Sequence, residues 1–137
     1  MIFVRVFLLA AGTFSLVAGV AYIARPGELA ALADLTLSSP TAVIEVQGFY
    51  GGQLLGMGAA MLLGVLRPRF VVPGLWLVVA PLAGTAFGRL CGAVTSGAFP
   101  PTIAALFFLE AATAVVGALL LRREMSRAAL PTVAATD

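Results

Sequence analysis

The sequence predicts an all-α integral membrane protein in which four transmembrane helices form a single bundle. Of the 137 residues, 61% are hydrophobic and only 10% are charged, whereas a soluble domain has about 45–50% apolar and about 25% charged residues. The mean hydropathy is +1.10. Turn-forming segments divide the apolar residues into stretches of about 20, the length that crosses a bilayer.

Each predicted span ends at a helix breaker or at charged residues. The first stops at Arg25-Pro26-Gly27, and its apolar stretch is longer than that of a cleavable signal peptide. The loop that follows contains Glu28–Leu35, which is either a short amphipathic helix at the membrane surface or a partly ordered connector. The single membrane domain covers the whole chain, with spans at about 3–24, 42–66, 70–94 and 102–121 and a short polar tail at 122–137.

The composition excludes several classes of function. The net charge is only +2, from 8 basic residues, all arginine, and 6 acidic ones. The basic character therefore reflects a scarcity of charge, and no nucleic-acid partner is expected. The chain has no histidine and 1 cysteine, which argues against imidazole metal sites, His-ligated haem and an intrachain disulfide. We expect neither a metal nor a cofactor.

Arginine placement predicts the orientation of the bundle. With four spans, the two termini and the loop between spans two and three share one side. That side holds most of the arginines: Arg5, Arg67, Arg69, Arg122, Arg123 and Arg127. Because arginine accumulates in cytoplasmic segments, we expect both termini in the cytoplasm. The arginine-, alanine- and glycine-rich composition is typical of a GC-rich bacterium, so the expected location is the bacterial inner membrane.

Glycine recurs at four-residue spacing in two of the predicted spans. The second span carries Gly48, Gly52 and Gly56, and the third carries Gly84, Gly88 and Gly92. Membrane helices associate largely through close van der Waals contact, which small residues at i and i+4 allow. We therefore expect both rows to be helix-packing faces, most simply between these two neighbouring spans.

Three ionisable side chains lie within spans two to four: Glu45, Arg89 and Glu110. At about 1.5 Å per residue, Glu45 and Arg89 lie at similar depth, and the long arginine side chain reaches toward Glu110. Such groups usually face the bundle interior and pair with each other. The sequence thus predicts a buried polar cluster, supported in span two by Gln47, Tyr50 and Gln53. The cluster is either a structural lock on helix order or a proton or substrate site.

The run EVQGFYGGQLLGMG, from Glu45 to Gly58, resembles the hallmark of a bacterial four-span membrane family of unknown function. In that family an acid precedes an aromatic-Gly-Gly and then a Leu-Gly-x-Gly. The later Gly-Arg-Leu around Arg89 and the acid at Glu110 are similar to the family's second half. Members carry a basic residue where Gln47 stands here. The resemblance covers nearly the whole chain and implies the four-span architecture, but no activity.

The sequence favours a non-catalytic accessory or structural subunit of a larger inner-membrane complex, because too few residues lie outside the spans for a catalytic domain. We expect no enzyme activity. The favoured host is a transporter, with lipid uptake as one candidate, and the expected partners are other integral membrane subunits and lipids. One alternative is a small proton-coupled or solute transporter that acts as a homo-oligomer. Another is a quinone-linked redox subunit, which the lack of histidine disfavours.

Overall fold

The computed structural model of the protein describes residues 2–129, and the regular elements within that range are all helical. In chain order they are α1 (Ile2–Ala24), α2 (Pro26–Ala31), α3 (Pro40–Glu45), a π-helix (Val46–Gly52), α4 (Gln53–Leu66), a 3-10 turn (Pro68–Phe70), α5 (Val71–Ser96) and α6 (Pro101–Ala129). The residues at the junctions of α3, the π-helix and α4 keep right-handed helical backbone angles. These three elements therefore form one uninterrupted helix.

The predicted all-α membrane bundle is confirmed. Four helical segments are long and apolar enough to cross a bilayer: Ile2–Ala24, Pro40–Leu66, Pro68–Ser96 and Pro101–Arg127. An even number of crossings puts the start of α1 and the end of α6 at the same end of the bundle. We call this the inner end, and we call the opposite end, with the loops after α1 and α5, the outer end.

The last helix is longer than the sequence predicts. α6 continues past Arg122 and Arg123 as far as Ala129, and residues 130–137 lie outside the described range. Arginine is a good helix former, and its long side chain reaches water while its backbone stays helical. The charges therefore mark the end of the apolar stretch and not the end of the helix.

The helix in the first loop is shorter than the segment Glu28–Leu35 that the sequence marks as a possible helix. It covers Pro26–Ala31, with proline in its first turn, where the missing N–H is not needed. After it the chain turns, and Asp34 has a φ of 56°. This left-handed backbone conformation is incompatible with continued α-helix and ends the element early.

α1 packs on the π-helix and α4 through two pairs of glycines. A Cβ added to Gly58 would lie 2.8 Å from the carbonyl oxygen of Gly12, and one added to Gly19 would lie 2.9 Å from that of Gly51. In each helix the two glycines are seven residues apart, a repeat that keeps one face toward a partner helix. The two backbones are therefore in direct contact, with no room for a side chain between them.

The predicted four-residue glycine rows do not pack within the chain. No neighbouring atom lies within 4 Å of a Cβ added at Gly48, Gly56, Gly84, Gly88 or Gly92, and the nearest to Gly52 is 3.9 Å away. The expectation that spans two and three pack through these rows is wrong, because α4 uses a different glycine face and turns it toward α1. Both rows are open in the isolated chain.

The hydrophobic core lies toward the inner end of the bundle. Its buried members are Val4, Leu8, Met61, Val71, Leu75, Val78 and Leu121. α1 pairs mainly with α4 and α5 with α6, while contacts between α4 and α5 join the two pairs. α6 is the least buried span, with 11% of its most apolar window inside the bundle. The helices are thus held together mainly at the inner end.

Candidate functional site

An ion pair joins α5 to α6 within the apolar spans. Arg89 donates from Nε to Oε2 of Glu110 at 2.8 Å and from Nη2 to Oε1 at 2.9 Å. The side chains are only 27% and 14% exposed. Two parallel bonds between a guanidinium and a carboxylate give the pair a fixed geometry as well as charge neutrality. The structure therefore brings together two of the three ionisable groups in the predicted cluster.

Glu45 does not join this pair, and the expectation that it faces another helix is wrong. Its residue is exposed at the end of α3, and it forms no ion pair within residues 2–129. Gly48 and Gly52, which follow it in the same helix, are exposed as well. Glu45 therefore lies on a side of the second span that no other helix of the described chain covers.

The supporting polar residues of span two have separate positions. Gln47 donates from Nε2 to the carbonyl oxygen of Ile23 at 2.8 Å, and this bond ties the π-helix to the last turn of α1. Gln53 is exposed and makes no side-chain hydrogen bond within the described part of the chain. Neither glutamine therefore bonds to the Arg89–Glu110 pair.

Tyr50 pairs with a residue that sequence reasoning did not single out. Its ring stacks on that of Tyr22 in α1, with centroids 5.3 Å apart and an interplanar angle of 23°. The chain has 2 tyrosines, one in the outer half of each of the first two spans. That placement is the signal in the sequence that points to Tyr22.

α5 lies close to α1 and α4 at the inner end and stands clear of them at the outer end. A Cβ added to Gly74 would lie 3.3 Å from Leu8 Cδ2 and 3.7 Å from Met61 Cα. Gly92 follows Gly74 by 18 residues, which is five turns at about 3.6 residues per turn, so both share one face. Nothing lies within 4 Å of a Cβ at Gly92. Pro81 lies between them inside α5, where the missing N–H permits a bend.

The polar groups of the outer half therefore lie on two separate helix pairs. The stacked tyrosines join α1 to the π-helix, and the ion pair joins α5 to α6. Among residues 2–129, no three His, Cys, Asp or Glu side chains come together as metal ligands, and Cys91 is exposed.

Comparison with known proteins identifies the family to which the chain belongs. Searches of curated proteins and of solved structures found no match to this chain. The family model described as Domain of unknown function (DUF4345) matches residues 3–121, which begins in the first span and reaches the end of the predicted fourth. Since this match covers most of the sequence and all of the site described above, the chain belongs to the DUF4345 family.

Proposed function

We propose that this protein is a non-catalytic accessory subunit of a larger complex in the bacterial inner membrane. The observation that carries the proposal is the uncovered glycine row of the second span. Gly48, Gly52 and Gly56 are all exposed, and no residue of another helix lies within 4 Å of a Cβ added at any of them.

The row faces away from the rest of the bundle. Gly56 precedes the buried Met61 by five residues, which places it about 140° around the helix from the core-facing direction. A glycine costs about 1 kcal/mol relative to alanine in a helix interior, and contact with lipid does not require one. Small residues in a row instead let a second helix approach the backbone closely. The row thus suits docking of a helix from another subunit.

The host we favour is a transporter, with lipid uptake as a candidate activity. In the described range, the segments between spans are a short helix with its flanking turns, a 3-10 turn and the residues around Gly97. These segments are too small to form a separate catalytic domain, so any catalytic or energy-coupling step would belong to the partners.

Purification of the tagged protein from its native membrane in mild detergent tests this proposal. We expect other integral membrane chains to co-purify in fixed stoichiometry, which mass spectrometry of the intact complex would show. Recovery of this chain alone, or only of assemblies of its own copies, would contradict the accessory role.

The Arg89–Glu110 pair favours a second candidate, a small proton-coupled or solute transporter that acts as a homo-oligomer. Ionisable groups within a span often mark an ion or substrate pathway. This candidate requires a pH-dependent flux in proteoliposomes containing only this chain, and Glu110→Gln should abolish that flux without changing the amount of protein. No feature of residues 2–129 favours the quinone-linked alternative.

The proposed orientation yields a separate prediction. A reporter that is active only outside the cytoplasm should stay silent when it is fused to the C-terminus, because the arginine-rich inner end is expected to face the cytoplasm. The same reporter inserted in the loop between α2 and α3 should be active. The reverse pattern of activity would contradict the orientation.

A further inference from the structure

α6 carries a shallow groove at the inner end of the bundle. The groove has a volume of about 380 Å³ and is lined by one apolar and four polar residues: Leu119, Arg122, Arg123, Ser126 and Arg127. All five are exposed. Their spacing of i, i+3, i+4, i+7 and i+8 places them on one side of the helix. We call this surface the arginine groove.

The arginine groove carries more positive charge than the described chain neutralises. Arg127 donates from Nη1 to Oε1 of Glu124 at 2.7 Å, and Glu124 is the acidic residue of the segment from Leu119 to Arg127. Arg122 and Arg123 form no ion pair within residues 2–129. Two adjacent guanidinium groups without a counterion attract an anion, and arginine matches a phosphate group with two parallel hydrogen bonds.

The position of the groove along α6 places it at the edge of the hydrocarbon core. Arg122 and Arg123 follow the last apolar residues of the span, and the helix continues to Ala129. Leu119, one turn earlier, is 56% exposed and lies at the level of the acyl chains. From Arg122 to Arg127 the helix rises about 7.5 Å, close to the thickness of about 5–7.5 Å of one headgroup layer. The cationic part of the groove therefore lies at the depth of the lipid phosphates.

We propose that the arginine groove binds an anionic phospholipid of the leaflet at the inner end. The phosphate oxygens accept hydrogen bonds from the guanidinium groups of Arg122 and Arg123, and an acyl chain lies against Leu119. A zwitterionic lipid binds less tightly, because its cationic headgroup lies beside the arginines and is repelled by them. The site is separate from the α4 glycine row and depends neither on the proposed subunit role nor on the orientation in the cell.

Native mass spectrometry of the full chain, released from detergent micelles, measures the binding of single lipids. The protein is titrated with dioleoylphosphatidylglycerol and, separately, with dioleoylphosphatidylcholine, which has the same acyl chains but no net charge. The first phosphatidylglycerol molecule should bind at least about fivefold more tightly, the contribution of one charge at a membrane surface. Equal affinity for the two lipids would overturn the proposal.

Inorganic phosphate is the third probe and distinguishes a lipid from a free anion. It should give no saturable adduct, because it lacks the acyl chain that contacts Leu119. A saturable phosphate adduct that excludes phosphatidylglycerol would overturn the assignment of a lipid to the groove.

Substitutions locate the bound lipid. The double variant Arg122→Gln with Arg123→Gln should weaken phosphatidylglycerol binding about 25-fold, at about fivefold for each arginine near an anionic surface. The control, Arg67→Gln with Arg69→Gln, removes the same charge from exposed positions at the same end of the bundle but outside the groove, and should bind like the parent. Equal loss in both double variants would show attraction by the overall charge of the inner end and would overturn the groove as the site.

Ser126→Glu is a second variant within the groove. Its carboxylate should repel the lipid phosphate and lower the affinity for phosphatidylglycerol, while its exposed position should leave the fold intact. The melting temperature without lipid checks that each variant is folded. Unchanged phosphatidylglycerol binding by folded Ser126→Glu or by the folded Arg122 and Arg123 double variant would overturn the proposal.

Discussion

Gly58→Leu is expected to prevent α1 from packing on α4 and to cause loss of folded protein. The added Cβ alone would lie 2.8 Å from Gly12 O and 2.9 Å from Leu16 N and Cγ, so the two backbones must separate. Overpacking of a core typically costs about 1–3 kcal/mol, and here rigid backbone atoms stand in the way. The measurement is the yield and melting temperature of monodisperse protein in detergent.

Gly56→Leu is the matched control for this experiment. It lies two residues away in the same helix, and a Cβ there meets nothing within 4 Å. The yield and melting temperature of the isolated chain should stay close to those of the parent. Equal loss of folded protein in both variants would show that helix propensity, and not the α1–α4 contact, explains the effect.

Arg89→Ala is expected to cause the second largest loss of protein. It leaves the Glu110 carboxylate, only 14% exposed, without its partner inside the span. Breaking a buried ion pair in this way costs about 3–5 kcal/mol. Adding Glu110→Gln should restore part of the yield because the stranded charge is removed, whereas adding Glu45→Gln should not, since Glu45 does not contact the pair.

Arg25→Ala provides the comparison for a surface ion pair. Arg25 and Glu28 are about 70% exposed and lie 3.3 Å apart, and such pairs contribute about 0–1 kcal/mol. Its yield should match that of the parent protein. Normal abundance of Arg89→Ala would contradict a structural role for the buried pair, and a simultaneous loss of pH-dependent flux would favour the transporter candidate.

The spans and the Arg89–Glu110 pair were predictable from the sequence for the same physical reason. A bilayer requires about 20 apolar residues per helix. Because charged residues are few, the apolar stretches of that length are easily counted, and a charged residue inside one of them is easily recognised. The rise per residue alone places Arg89 level with Glu45, and it is the length of the arginine side chain that predicts its reach to Glu110.

Rotation around the helix and the choice of helix partners were less predictable. In the π-helix at Val46–Gly52, each hydrogen bond spans five residues instead of the four of an α-helix. No periodic pattern in the sequence predicts this change. The contact between α1 and the second span uses a different glycine pattern from the four-residue rows. Gly12 and Gly19 in α1 have the same seven-residue spacing as Gly51 and Gly58 in the second span. Matching repeats in two spans would have identified the α1–α4 interface.

The most direct test of the subunit proposal is the comparison of Gly56→Leu with the parent protein in co-purification from native membranes. We predict that the variant chain is present in normal amount and folded, yet that the membrane chains which co-purify with the parent are lost, because a leucine on the row prevents a second helix from approaching. If Gly56→Leu retains those chains in unchanged stoichiometry, the glycine row is not the docking face and the account of this protein as a subunit assembled through it is contradicted.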